Sequence, residues 1–594
     1  MDDFIFGTLA TDALRRARVD GLRAGVTHQH QRAPRQPVPG KPTDVFLSVG
    51  PACPGERAWL YWTTDGSDPV GAGGVAQNGN VLTLDVLDES WDTVLWGYIR
   101  RFRGQIPAQP SGTLVRYRLS AFSTAAGEVF ADGGAYEAMW VDDSPPPEWS
   151  RDAVVYQIFP DRFWPGEGRV WQKPETPAGF YGGSLKGITE RLGHVAHLGF
   201  NTLWLTPIFP SPSHHGYDAT DLFEVEPRLG SKEDLRVLLD KAHGLGMRVL
   251  LDFVPNHWSW LHRTFEDACR NAHSQYRDWY TFTHWPDDYE TFFGVRELPQ
   301  LNLRNPAARQ HVLDAAVYWL EFGVDGYRVD YAIGPSADFW AAFRQATRQA
   351  KPDCWTFGEV VDPPDVQLTF EGGLDGCLDF MLLEALRQSL AFGRWKADRL
   401  GQFLQRHDAY FPKTFSRPSF LDNHDMNRFL WAAGGDARRL RLAALCQFTL
   451  PGAPVVYYGT ETGLSQERDV RQGTRGVPEE ARLPMNWETA DRGLMAFYRS
   501  LVALRKEWSA LRRGAQEIVS AQGEVLVYRR TLEGQDLVIV LNLSEMEQVV
   551  QLPFRDVCAL LVSEPGCVMG NPAEGAWLRM PALAGGCFSV GRLA

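Results

Sequence analysis

Arg248-Val-Leu-Leu-Asp-Phe-Val-Pro-Asn-His257 is the stretch on which the fold turns. It opens as a short apolar run, of the kind expected for a strand buried on both faces, and it ends in Asp, Asn and His. Upstream, Lys232–Leu245 carries apolar residues at helical spacing, and downstream Pro306–Phe322 does the same. A buried strand between two helices is a unit of a parallel α/β sheet. Seven further runs fit the same reading: Val154–Phe159, Thr202–Leu205, Gly326–Val329, Thr356–Glu359, Leu374–Asp379, Ser419–Leu421 and Pro454–Tyr457. Eight strands alternating with helices predict a (β/α)8 TIM barrel. An insertion at about 258–303, after the third strand, is dense in rings such as Trp258, Trp260, Trp279 and Phe292.

The flanks read differently. Residues 1–147 show short β-rich runs, Asp44–Gly50, Ala58–Trp62 and Thr113–Leu119, separated by Gly, Pro, Asn and Asp, which suggests an N-terminal β-sandwich. Pro145-Pro146-Pro147 makes a stiff linker, so the barrel is assigned 148–512. Alternation in Glu524–Arg529 and Asp536–Asn542 marks 513–594 as a C-terminal antiparallel β domain. Gly71-Ala-Gly73-Gly74 has no strand–turn–helix context and reads as a hairpin tip, not a phosphate loop.

A chain of 594 residues is too long for one core, in keeping with this division. A formal net charge of -13 argues against nucleic acid and anionic membranes as partners, because both select basic surfaces. An aromatic share of 12 % with 21 Trp suits either ring-face binding of sugars or a Trp-rich core. The cysteines at 53, 269, 354, 377, 446, 558, 567 and 587 form no C-x-x-C pair and have no His cluster nearby, so neither a zinc site nor a redox motif is expected. The first seven residues, Met1 to Gly7, show no basic or apolar leader pattern. No apolar run approaches the ~18 residues of a membrane span, and a cytoplasmic location is expected.

In a TIM barrel the active site lies at the C-terminal ends of the strands. Here the third strand ends in Asp252, Asn256 and His257, the fourth in Arg328 and Asp330, the fifth in Glu359 and the seventh in Asp422-Asn-His424-Asp425. Any one such acid could be solvated or cap a helix. Acids at four strand ends, with Arg and two His, converge on one mouth. Crowded carboxylates raise at least one pKa, which yields an acid and a base from one residue type. That is the minimum equipment for cleaving a glycosidic bond.

These segments resemble the α-amylase superfamily, glycoside hydrolase family 13, from about Val154 to Trp487. Asp252–His257, Gly326–Asp330, Gly358-Glu359 and Leu421–Asp425 are similar, in order and spacing, to that family's four signature regions. The resemblance implies that Asp330 is the nucleophile of a retaining reaction, that Glu359 is the acid and then the base, and that Asp425 grips the sugar hydroxyls. It further implies substrate contacts from Tyr217, Asp252, His257, Arg328, His424 and Arg428, with Tyr217 as a platform under the sugar. Val154–Arg162 and Leu298-Pro-Gln-Leu-Asn302 look like the neopullulanase, cyclomaltodextrinase and maltogenic amylase subgroup, as does the preceding β domain. The segment Tyr331-Ala-Ile-Gly-Pro335 departs from that subgroup, and so does Trp258-Ser-Trp260, which puts its substrate preference in doubt.

The expected substrate is a short or cyclic malto-oligosaccharide, cleaved at α-1,4 bonds, with α-1,6 bonds as the further candidate. The alternatives are a transglycosylase or isomerase using the same intermediate, and a non-catalytic α-glucan-binding protein. No cofactor is expected. Asn256 corresponds to a calcium ligand in many relatives, but Trp164–Arg169 lacks the alternating oxygens of a dedicated loop, so calcium is not favoured. Trp59, Trp62, Trp91 and Trp96 could stack on glucan, though packing is the preferred role of the N-terminal domain. The subgroup resemblance implies a homodimer in which that domain walls the cleft.

Overall fold

A computed structural model describes residues 12–53, 55–471, 478–553, 557–563, 566–570 and 577–590. The N-terminal heptapeptide and the side chain of Cys558 lie outside the described residues. After a helix, Asp12–Ala24, come two antiparallel sheets. One runs Val26–Thr27, Thr43–Val49, Gly97–Ile106, Asp85–Asp92, and the other Gly127–Phe130, Leu114–Ser123, Arg57–Thr63, Asn80–Thr83. Thr43–Val49 alternates buried and half-buried positions, as a strand with one face in a core must. Its Val45, Leu47 and Val49 share a core with Leu60, Tyr117 and Leu119 of the second sheet, which makes the expected sandwich. Val70–Ala72 and Val75–Asn78 pair as a hairpin, with Gly73 and Gly74 at φ +62 and +81 in its tip.

The barrel strands follow as Val155–Ile158, Thr202–Leu205, Arg248–Phe253, Gly326–Val329, Trp355–Gly358 and Gly376–Cys377, each parallel to the one before, and Val455–Tyr457 pairs with the first. Residues 416–419 close the ring through single bridges, Gly376 to Ser416 and Ser419 to Pro454. The expected sixth strand, Leu374–Asp379, is thus only two residues long, and the seventh never forms a regular ladder. Pro418 offers no N–H there, so it contributes only its carbonyl, which accepts from Asp379 N. Gly376 is obligatory at this seam, since a Cβ would lie 1.8 Å from Ser416 O. Between strands, Lys232–Gly244 opens on a Ser231/Asp234 capping box, and Pro306–Phe322 opens on Asn305 and ends at left-handed Gly323.

Helix Ala337–Ala350, which follows the fourth strand, receives the sandwich. Its Arg344 reaches Asp142 at 3.0 Å and Asp375 at 3.1 Å, and its Asp338 meets Arg116 of the sandwich at 2.8 Å, all buried. In the C-terminal sheet, Leu526, Tyr528, Ile539 and Leu541 join the barrel core, while Val527, Val538 and Val540 face a small three-stranded sheet. That is the period-2 division of a sheet buried on both faces.

Candidate active site

The fourth strand places Arg328 and Asp330 on one face, and parallel register sets Arg328 beside Asp252 of the third strand. The Arg328 guanidinium is fully buried. Its Nη1 donates to Asp252 Oδ1 at 2.6 Å and to Asp330 Oδ1 at 2.9 Å, and its Nη2 lies 2.7 Å from Glu359 Oε1. One cation therefore faces three carboxylates from three consecutive strands. It cannot neutralise all of them.

Burial pushes Asp330 well up, opposed by Arg328 and reinforced by Glu359, Asp252 and Asp425. Burial raises Glu359 too, again against Arg328. Both therefore keep a proton to higher pH than ordinary carboxylates do. Asp330 accepts a well-formed N–H bond from Arg328, whereas Glu359 Oε1 makes none despite its proximity. Backbone N–H of Tyr331 also donates to Glu359 Oε2 at 3.3 Å.

Asp425 is the opposite case. Burial works to raise it, but His424, Arg482 and Arg328 together hold it well below the usual carboxylate range. Arg482 Nη2 donates to its Oδ1 at 2.9 Å, and His424 Nε2 lies 3.0 Å from Oδ2. Gln157 Nε2 sits 2.9 Å from His424 Nδ1, so the imidazole accepts there and keeps its proton on Nε2. Tyr217 stacks on His424 at 5.3 Å with the rings 3° from parallel, and its hydroxyl donates to Asp252 Oδ2 at 2.9 Å. Trp204 Nε1 donates to the same oxygen at 3.1 Å.

Asp330, Glu359, Asp425, Tyr217, Asp252, Arg328 and His424 thus meet in one cluster. His257 makes none of these contacts: it is buried with its ring stacked on Phe292 at 4.3 Å, and Phe292 in turn packs on Tyr331, the residue after Asp330. Arg428 lies outside these contacts: it is fully buried, its Nε donates to the carbonyl of Ala481 and its Nη1 to that of Tyr458, and it lies over the Tyr457 ring at 4.0 Å. Those two bonds brace the segment bearing Arg482.

Gln157, Trp204 and Arg482 were not singled out in sequence. A polar residue inside the apolar run Val154–Phe159 was the signal for Gln157. The Arg482-Leu-Pro-Met-Asn-Trp487 segment gave no hint that its arginine returns to Asp425.

The arrangement gathers two carboxylates raised by burial, a third held anionic and one buried guanidinium at a single barrel mouth. Glu359→Gln is expected to lower hydrolysis of unactivated glycosides by about 10²- to 10⁴-fold and to spare substrates with acidic leaving groups. The alkaline limb of the pH–rate profile, set by loss of the Glu359 proton, should vanish with it. A variant that keeps that limb would remove Glu359 from the role of acid.

The α-amylase catalytic-domain family profile matches residues 157–495. Alpha-amylase 2 of Dictyoglomus thermophilum is 35 % identical over 490 residues, covering 81 % of this chain and 85 % of its own. A cyclomaltodextrinase of Geobacillus thermopakistaniensis is 36 % identical over 431 residues, 69 % of this chain and 71 % of its own. Among solved structures, the type III pullulan hydrolase of Thermococcus kodakarensis superposes with a TM-score of 0.67 at 26 % identity, covering 95 % of this chain and all of that one. With the matched segment spanning every barrel strand and the carboxylates on their strand ends, the chain belongs to the α-amylase family of glycoside hydrolases.

Proposed function

We propose that the protein hydrolyses α-glucosidic bonds in short or cyclic malto-oligosaccharides with retention of configuration. The observation that carries this is the single guanidinium of Arg328 shared by Asp252, Asp330 and Glu359. Asp330 attacks the anomeric carbon while Glu359 gives its proton to the departing glycosidic oxygen, leaving a glycosyl ester and an ionised Glu359. Water then gives a proton to Glu359 as its oxygen displaces Asp330, which restores both groups. Asp425, kept anionic by Arg482 and His424, holds two sugar hydroxyls and favours the cationic transition state. Tyr217 underlies the ring, and His257 lines the same pocket.

The name of the cyclomaltodextrinase relative, the flanking sandwich and the ring-rich insertion support small or cyclic substrates over polymeric starch. Rates on cyclodextrins, pullulan, linear maltodextrins and starch test this: small rings and short chains should be cleaved fastest. A preference for starch would overturn it. Maltotriose should give glucose and maltose, whereas longer or differently linked products would make the chain a transglycosylase.

The same reading needs no metal. No step of it is routed through a cation. Full activity in chelator is expected. Loss restored by calcium would refute the point. Exposed Trp91, in ring contact with exposed Trp96 and Tyr98 on the sandwich, supports a homodimer joined through this domain. Light scattering at the mass of one chain would count against it. A cytoplasmic location accords with Cys53, Cys269, Cys354, Cys377, Cys446 and Cys587, which form no disulfide among the described residues.

A further inference from the structure

One buried amide stands where an apolar side chain would pack at least as well. Gln157 lies in the first barrel strand, Val155–Ile158, and is fully buried. Its Nε2 meets His424 Nδ1 at 2.9 Å, while its Oε1 is buried and has no hydrogen-bond partner among the described residues. Leaving an amide oxygen unpaired in a core costs stability, and a hydrophobic residue of the same length would avoid that cost. The contact that distinguishes Gln157 from such a residue is its N–H on the imidazole.

What that N–H controls sits on the far side of the ring. His424 Nε2 lies 2.5 Å from the Tyr217 hydroxyl and 3.0 Å from Asp425 Oδ2. The Tyr217 hydroxyl gives its own proton to Asp252 Oδ2, so towards His424 it can only accept. Asp425, held anionic, accepts as well. A single imidazole proton on Nε2 therefore serves both the platform under the sugar and the anion that grips it. In a neutral ring that proton stays on Nε2 while a donor occupies Nδ1, and Gln157 is the donor. Asp252 and Glu359 are the other charged groups that feel the ring, Tyr457 stands 6.4 Å from it, and Arg482 Nε donates to the His424 carbonyl. Among the described residues, only Gln157 bonds Nδ1.

We propose that Gln157 is a positioning residue of the hydrolytic reaction: by donating to His424 Nδ1 it places one imidazole proton between Tyr217 and Asp425, and so fixes both against the sugar ring. The proposal rests on the hydrolase reading above and adds a residue that acts on the substrate only through His424.

Two variants separate this role from packing. Gln157→Met keeps the length of the side chain and removes the donor. In Gln157→Glu the new carboxyl and the imidazole hold one proton between them at low pH, which keeps Nδ1 engaged and leaves Nε2–H in place. When the pair loses a proton at higher pH, the one that remains lies between the carboxylate and Nδ1. Nε2 then turns a bare lone pair towards Tyr217 and Asp425.

For the native full-length chain and both variants, kcat and KM on maltoheptaose are measured from pH 5 to pH 8. Gln157→Met is expected to lower kcat about 10- to 100-fold across this range, with KM changed about threefold or less. Gln157→Glu should come within about threefold of the native kcat at pH 5 and fall to the level of Gln157→Met at pH 8. A Gln157→Met chain with native kcat would overturn the proposal. So would a Gln157→Glu chain whose rate, relative to native, does not change with pH, since a packing defect has no such dependence. The second comparison is made within one variant, so it stands whether or not Gln157→Met folds. A native chain that leaves maltoheptaose intact would refute the hydrolase reading instead.

Discussion

Asp330→Asn is expected to lower kcat by at least about four orders of magnitude, because the covalent half of the reaction disappears with the carboxylate. The carboxamide keeps the size of the side chain, and its oxygen can still accept from Arg328 Nη1, now at 2.9 Å from Asp330 Oδ1. The fold therefore survives, and the melting temperature should hold or rise, since burial already opposes the charge at this position. Intact-protein mass spectrometry after quenching with substrate should show a glycosyl adduct on the native chain and none on the variant. Turnover within tenfold of native would take the nucleophile's role from Asp330.

Arg328→Met is expected to cost stability as well as activity. It removes the cation between Asp252, Asp330 and Glu359 and leaves buried carboxylates uncompensated, a change worth about 3–5 kcal/mol. The loss should depend on pH with a definite sign. Without the guanidinium, the folded-state pKa values of these acids rise further above those of the unfolded chain. The folded chain then binds more protons than the unfolded one, so its stability falls as pH rises from the ordinary carboxylate range towards neutrality. Denaturant midpoints should thus show a larger deficit, relative to native, at pH 8 than at pH 5. A deficit that does not change with pH would mean that lost packing, and not lost charge, is the cause.

Much of this was legible in the linear sequence because a parallel barrel writes its active site at strand ends. Asp252, Arg328-Val-Asp330 and Glu359 sit where apolar runs stop, and strand register alone brings them together. What escaped reading acts across long separations. Arg482 returns to Asp425, and Gln157 fixes the tautomer of His424, through turns that no local pattern encodes. Arg428, three residues from Asp425 in sequence, meets the carbonyls of Ala481 and Tyr458, contacts that no local pattern encodes either. The seventh strand read as an ordinary strand, although Pro418 and the tight seam at Gly376 allow only isolated bridges. How the sandwich docks on the barrel could not be read at all, since it depends on long-range pairs such as Arg344 with Asp142.

Arg344 gives that docking a mechanical sense. One of its nitrogens holds Asp142 of the sandwich and the other holds Asp375, whose second oxygen accepts the backbone N–H of Thr356 at 2.9 Å. Thr356 stands three residues before the acid Glu359, on the same strand. The sandwich, an apparent appendage, is therefore coupled in series with the stave that carries the proton donor. Buried hydrogen bonds thus run without a break from the first 147 residues to the strand that ends at Glu359, and cutting those residues away would leave Arg344 facing an empty place where Asp142 stood.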